Sequence, residues 1–398
     1  MHESVKKSCC SVSEQDPLRS RIAALFLITG IFFLNYMSRV VLGPLLLSLE
    51  QSFQLSVSSS GYLFLILSVG YSLSLLNAGQ ISSRITHKNT IALSALVAGI
   101  ALSGVGISQN VPTLMIMLFV TGMGLGMYIP SGLRTITSFI PATHLGKAFA
   151  VHEFAPIISF LAAPLLVEIL LYFSSWRGVF FVLSILCLLA AFSYFKIGRG
   201  GDVYGHAPHF VNIKDAFASK EFWIITICFS LVVGAEFGIY NMIPVFLVKE
   251  KGFDREWANL FLCITRVAAL ASALGAGYLV DKLGTRRSLF FFIGLSGLST
   301  LLIGWGPKWW IYIFLFLQPL FVVGFFPAGL TTLSAIGSSI NEMSISLTLT
   351  ITSVIGTGVV PAVLALLGDH YSFAVAFSVL GTAMLSILLG VGKLQNVT

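Results

Sequence analysis

Pro44-Leu45-Leu46-Leu47, followed by Glu50 and Phe53, returns 200 residues later as Pro244-Val245-Phe246-Leu247, followed by Glu250 and Phe253. Pro130-Ser131-Gly132-Leu133-Arg134 returns as Pro327-Ala328-Gly329-Leu330-Thr331, at an offset of 197. Pro164 returns as Pro361, and Ser175-Trp176-Arg177-Gly178-Val179-Phe180 as Ser372-Phe373-Ala374-Val375-Ala376-Phe377, at the same offset. One such match is weak. Four in the same order, at nearly constant spacing, argue for an internal duplication.

The solvent of the duplicated unit follows from composition. The 398 residues are 56% hydrophobic and only 10% charged, whereas a soluble domain carries about 25% charged residues. That excludes an ordinary soluble enzyme, a disordered chain and a disulfide scaffold. A membrane-crossing helix needs about 20 mostly apolar residues. Twelve such runs are predicted, at about 22–48, 59–80, 89–108, 111–138, 146–171, 176–195, 221–247, 257–280, 287–306, 309–337, 343–367 and 371–391. Gly122, Gly124 and Gly126 follow no strand, so they read as a helix-packing face rather than a phosphate loop. The expected architecture is an all-α membrane protein of twelve transmembrane helices in two pseudo-symmetric six-helix bundles, 22–195 and 221–392. A polar tail, 1–21, precedes them and a short tail, 393–398, follows. The linker, 196–220, reads as a flexible Gly198-Arg199-Gly200-Gly201 segment and then an amphipathic surface helix from Val211 to Trp223.

The basic balance, +7, is topological. With the N-terminus placed in the cytoplasm, fifteen of the 23 Lys and Arg fall on cytoplasmic segments, five outside, and Arg39, Arg134 and Arg266 inside spans. The positive-inside rule then puts both termini in the cytoplasm. No compact basic face is left for nucleic acid. Cys9, Cys10, Cys187, Cys228 and Cys263 are odd in number, and three fall in spans, against a disulfide framework. Residues 1–21 lack the apolar core of a removable signal.

Gly277-Tyr278-Leu279-Val280-Asp281-Lys282-Leu283-Gly284-Thr285-Arg286-Arg287 resembles the loop motif of the major facilitator superfamily, G-x-L-x-D-x-x-G-x-R-R/K. The corresponding loop of the first half, Gly79 to Lys88, keeps the glycine and the bases but has Ser83 for the acid and Thr86 for the second glycine. Trp176-Arg177 and the Gly-rich fourth span are also similar to that family. The resemblance covers essentially the whole chain. It implies a secondary transporter whose substrate binds between the halves near the bilayer midplane. It also implies that Asp281, Arg286 and Arg287 form a charge cluster that holds one conformation, weakened in the first-half copy by Ser83.

Ionisable residues inside a membrane are functional candidates by default, because an Arg at mid-span costs roughly 2.5–3.5 kcal/mol on insertion scales. Arg39, after Asn35, Tyr36 and Ser38, resembles the Arg of organic-anion transporters, with Ser38 where an acid often stands. A guanidinium suits a carboxylate or phosphate. Arg266 is a candidate second base. Glu236, opposite Tyr36 in the duplication, is a candidate proton carrier or a fixed partner of Arg39 or Arg266. Tyr36, Asn35, Tyr240 and Asn241 offer neutral hydrogen bonds to a substrate. Arg134 is expected to pair with Glu153, with a gate as the lesser reading, and His152 keeps a proton role open. His152-Glu153 begins a zinc-protease pattern that Pro156 ends, so no metal or cofactor is expected. The chain thus reads as a monomeric, non-enzymatic inner-membrane transporter of a small organic anion with a proton as co-substrate. Export of amphipathic drugs or siderophore-like compounds is the alternative within the fold; a non-transporting sensor or partner-binding protein is the alternative outside it.

Overall fold

The computed structural model describes residues 18–206, 213–339 and 343–394. Most of both expected tails, with Cys9 and Cys10, and the start of the amphipathic linker segment at Val211 lie outside these residues.

Among the described residues, twelve long helical units follow one another: α1 (Arg21–Phe53), α2 (Val57–Ile85), α3 (His87–Ile107), α4 (Val111–Phe139), α5 (Ala142–Phe173), α6 (Trp176–Ile197), α7 (Lys220–Glu250), α8 (Arg255–Leu283), α9 (Thr285–Leu302), α10 (Trp309–Gly337), α11 (Met343–His370) and α12 (Phe373–Val391). Eleven are long and apolar enough to cross a membrane. The twelfth, α9, has 18 residues and opens on Arg286 and Arg287. At 1.5 Å per residue it is about 27 Å long, close to the hydrocarbon thickness of about 30 Å. Polar side chains cap several of the helix starts. Asn110 Oδ1 accepts from Thr113 N at 2.9 Å, and Ser372 Oγ accepts from Val375 N at 3.2 Å. Each cap satisfies one of the four N–H groups a helix start leaves unpaired.

The duplicated prolines leave matching irregularities. Pro44 lacks an N–H, and α1 breaks at Val41. Pro244, its counterpart, precedes a wide π turn over Phe246–Glu250. A second π turn, Ile355–Val359, precedes Pro361 in α11.

Helices α1–α6 pack on one another, and α7–α12 do likewise; the two groups meet where α2 faces α11, α5 faces α8, and the end of α1 faces α7. Small residues set these distances. A Cβ on Gly122 would lie 2.1 Å from the Leu67 carbonyl oxygen, and one on Gly126 the same distance from that of Tyr71. A Cβ on Gly124 would meet Ala98 at 2.7 Å on the other side. The glycine run of α4 is therefore the packing face expected, wedged between α2 and α3.

The linker departs from expectation. Gly200 and Gly201, with φ of 75° and 73°, fold the chain onto the first half instead of leaving it loose. Gly201 and Val203 carbonyls accept from Lys88 N at 2.9 Å and His87 N at 3.1 Å, so the linker caps the start of α3. Gly201 N donates to Ser138 Oγ at 3.0 Å. The amphipathic stretch is also divided: a short helix, Ile213–Ala218, ends before Ser219, which caps α7 through Phe222 N at 3.2 Å.

Replacement of Gly122 or Gly126 by Val should abolish monodisperse protein in detergent, because overpacking here meets backbone rather than a flexible side chain. Gly30→Ala, where a Cβ meets nothing within 4 Å, should leave the melting temperature within about 2 °C of the parent. Fluorescence-detected gel filtration and thermal melts would check both.

Candidate functional site

A cavity of about 280 Å³ lies between the two groups of helices. Tyr36 of α1 and Glu153, Pro156 and Phe160 of α5 form one side. Glu236 of α7, Arg266 of α8, and Phe326, Pro327 and Leu330 of α10 form the other. Pro156 and Pro327 each sit inside a helix that lines it.

Arg266 is 1% exposed. Its guanidinium lies over the rings of Tyr240 and Phe160, with centroids at 4.6 and 5.0 Å. Among the described residues, none of its three side-chain nitrogens has a hydrogen-bond partner. A buried cation is ordinarily paired. Glu236, in the same cavity wall, is close enough to feel both Arg266 and Arg39. Among the described residues it makes no ion pair within 4.0 Å and no hydrogen bond. The site therefore holds a cation and a carboxylate side by side, unjoined.

Arg39 is not among the lining residues. Its guanidinium is caged by Tyr71, Phe237 and Tyr36, at 4.1, 5.0 and 5.1 Å. Tyr36 reaches the cavity, and Arg39 lies behind it. Asn35 turns away, donating to the Leu125 carbonyl at 2.8 Å. Asn241 packs against α1 at Gly43, where a Cβ would lie 2.7 Å from its Oδ1. Tyr240 is fully buried, its ring against Phe160 at 4.8 Å. Of the expected substrate contacts, the fold thus brings Tyr36 and Arg266 to the cavity and leaves Arg39, Asn35, Tyr240 and Asn241 outside its lining.

The expected Arg134–Glu153 pair is not formed. Arg134 is exposed on α4, and Glu153 Oε1 meets His152 Nδ1 at 3.1 Å instead. His152 is fully buried, stacked on Phe32 at 4.1 Å. Its Nε2 lies 3.0 Å from the Tyr128 hydroxyl, which donates to the Ile28 carbonyl at 2.8 Å. The hydroxyl has one proton, and a carbonyl only accepts. His152 Nε2 must then carry the proton it shares with Tyr128. The Nδ1–Oε1 contact needs a further proton, on the imidazole or on the carboxyl. The Glu153 side chain is 59% exposed, so the pair has access to solvent through the cavity.

Residues to which the sequence reading gave no role at the site close the far end of the cavity. Lys249 Nζ lies 2.6 Å from the buried Glu50, which also accepts from Ser60 Oγ at 2.8 Å. Glu168 receives Asn259 Nδ2 at 2.5 Å and Arg255 Nη2 at 3.3 Å. Asp369 accepts from both Ser58 N, at 3.1 Å, and Ser58 Oγ, at 2.7 Å, at the start of α2. The Ser60–Glu50 bond lies within the first half, and the Lys249, Asn259, Arg255 and Asp369 contacts each join one half to the other at the end remote from the termini. Ser68 and Thr357 hydroxyls add one at 2.7 Å within α2 and α11. Toward the termini the cavity is open: Glu153, Ala273 and Leu330 are exposed. Glu50, conspicuous in the repeated motif, was a signal that could have been read this way.

The loop motif is not latched in this conformation. Arg286 donates to the Gly392 carbonyl of its own half, and Asp281 is exposed, with no ion pair among the described residues. Gly284 takes φ 81°, as the motif glycine requires; Thr86 takes φ 72° in its place. Where Ser83 replaces the acid, the linker's Asp202 stands 3.8 Å from Lys88.

Breaking the far-end contacts should open that end. Spin labels at Gln51 and Trp257, in a background without native cysteines, should separate further in Glu168→Ala than in the parent. Double electron–electron resonance would read the shift, because Glu168→Ala removes the acceptor that Asn259 and Arg255 share.

The profile of the Major Facilitator Superfamily matches residues 28–276. A probable sulfoacetate transporter of Cupriavidus necator is 24% identical over 314 residues, 70% of this chain and 72% of that protein. A niacin transporter of Acinetobacter baylyi is 21% identical over 299 residues, 66% of this chain and 68% of its own. The crystal structure of a bacterial homolog of the human lysosomal transporter Spinster superposes with a TM-score of 0.77, at 15% identity over 95% of this chain and 96% of that one. An internally duplicated, twelve-helix membrane chain with a cavity between its halves and named transporters as relatives belongs to the Major Facilitator Superfamily.

Proposed function

We propose that this protein is a secondary transporter that carries a small organic anion, a carboxylate, through the cytoplasmic membrane with proton coupling. The observation that carries the reading is the Arg266 guanidinium, buried in the inter-half cavity with every nitrogen unpaired. Its planar fork matches a carboxylate. Arg39, caged behind Tyr36, adds positive potential without a direct contact. The transporters named among the relatives carry organic anions, which supports the class. The fifteen bases on segments toward the termini support cytoplasmic termini. The cavity then faces the cytoplasm, and alternating access would exchange the far-end contacts of Glu50, Glu168 and Asp369 for a closure around Asp281, Arg286, Arg287 and Arg134. The chain would act as a monomer.

Proton coupling is assigned to the His152–Glu153 pair and Glu236. The pair holds a proton beyond those fixed by Tyr128, and Glu153 is reachable from the cavity. Glu236 shares that cavity with Arg266, so substrate on the guanidinium changes the field the carboxyl feels.

The apolar walls favour a second reading, export of amphipathic compounds. A neutral amphipath, however, leaves Arg266 unpaired in its cavity.

Purified protein in liposomes should exchange at least one member of a panel of small carboxylates, and Arg266→Gln should reduce that exchange at least tenfold. No exchange of any carboxylate, or an unaffected Arg266→Gln, would refute the reading. Glu153→Gln should keep exchange between equal pools but lose accumulation driven by a pH gradient. Accumulation equal to the parent's would remove the pair from the coupling path.

A further inference from the structure

We infer that the substrate is a monocarboxylate with an apolar body, and that the cavity rejects dicarboxylates and phosphate. The inference rests on the reading of this cavity as the transport site. It follows from a count of charges that the sequence could not provide. The sequence left two arrangements open for Arg266: a two-base clamp with Arg39 suited to a dianion, and a pair with Glu236 alone. In the fold, only Arg266 reaches the cavity; Arg39 is held by three aromatic rings outside its lining. Two carboxylates, Glu153 and Glu236, share the wall with that single base.

A ligand with one carboxylate can place it on Arg266, whose guanidinium nitrogens lack partners and whose orientation is set by stacking on Tyr240 and Phe160. The remaining lining that a ligand body would meet is largely hydrocarbon or aromatic, Pro156, Phe160, Phe326 and Leu330 among it. A body without charge exchanges water for these walls at a gain. A second anionic group finds no second base there. It would have to leave water for apolar walls or face carboxylates of its own sign, and an uncompensated buried charge is strongly unfavourable. The volume, about 280 Å³, is at the lower limit of small-molecule sites, which leaves little room for a hydration shell to be carried in with a second charge.

The test compares two probes of nearly equal shape, 4-methylbenzoate and terephthalate, by isothermal titration calorimetry on the purified full-length protein. The parent should bind 4-methylbenzoate at least tenfold more tightly than terephthalate, and inorganic phosphate should not compete. Arg266→Gln should weaken 4-methylbenzoate at least tenfold, with Arg266→Lys between the two because it keeps the charge and loses the fork. The double variant Glu153→Gln/Glu236→Gln should narrow the gap by admitting terephthalate. Terephthalate binding as tight as 4-methylbenzoate, with both lost in Arg266→Gln, would overturn the inference and leave the anion site standing. Binding of neither probe, or binding indifferent to Arg266, would overturn both. The comparison in the parent requires no variant to fold.

Discussion

A guanidinium without a counter-ion, held in the middle of a membrane protein, is the constraint around which this molecule is arranged. Moving an ion out of water costs several kcal/mol even after relaxation. Arg266 recovers part of that from the faces of Tyr240 and Phe160. Among the described residues, its three side-chain nitrogens have no hydrogen-bond partner. Glu236 is near enough to lower the cost through its field and too far to occupy the donors. A pair in contact would be more stable and would have nothing to offer a ligand. Phe160 belongs to one half and Tyr240 to the other, so the cation is seated only while the halves meet.

The scaffold makes that seat possible with small residues and split ends. Gly122 and Gly126 let α4 lie directly on the backbone of α2, and such close contact replaces the hydrophobic drive that lipid cannot supply. Far from the termini, Glu50, Glu168 and Asp369 each bind across the halves. Among the described residues, these polar contacts hold the halves together at the end remote from the termini. The linker lies against the first half, where Asp202 supplies beside Lys88 a carboxylate that Ser83 does not.

Much of this was legible beforehand, and the limit is physical. Apolar runs of membrane length and the paired motifs at Pro44 and Pro244 report local chain chemistry, so helix number and duplication could be read from them. The depth of Arg266 in its helix was also readable. The surroundings of Arg39 were not: Tyr71 and Phe237, which cage it, come from α2 and α7, and no spacing within α1 predicts them. Arg134 and Glu153 were expected to pair because they lie at similar depth on neighbouring helices, but depth does not specify facing, and His152 takes the carboxylate. Lys249 and Arg255 read as loop bases counted for orientation. Their partners, the buried Glu50 and the half-buried Glu168, lie in the other half of the chain. Cross-half contacts depend on docking register, which the duplication itself does not encode.

The central claim is that Arg266 is left unpaired so that a substrate carboxylate can complete it. The most direct measurement is a crystal structure of the protein with 4-bromobenzoate, with the bromine located by anomalous scattering. The account predicts the bromine within the cavity bounded by Pro156 and Phe326, and both carboxylate oxygens within hydrogen-bond distance of the Arg266 guanidinium. A bromine peak elsewhere, or Arg266 in contact with Glu236 while the ligand occupies the cavity, would contradict it.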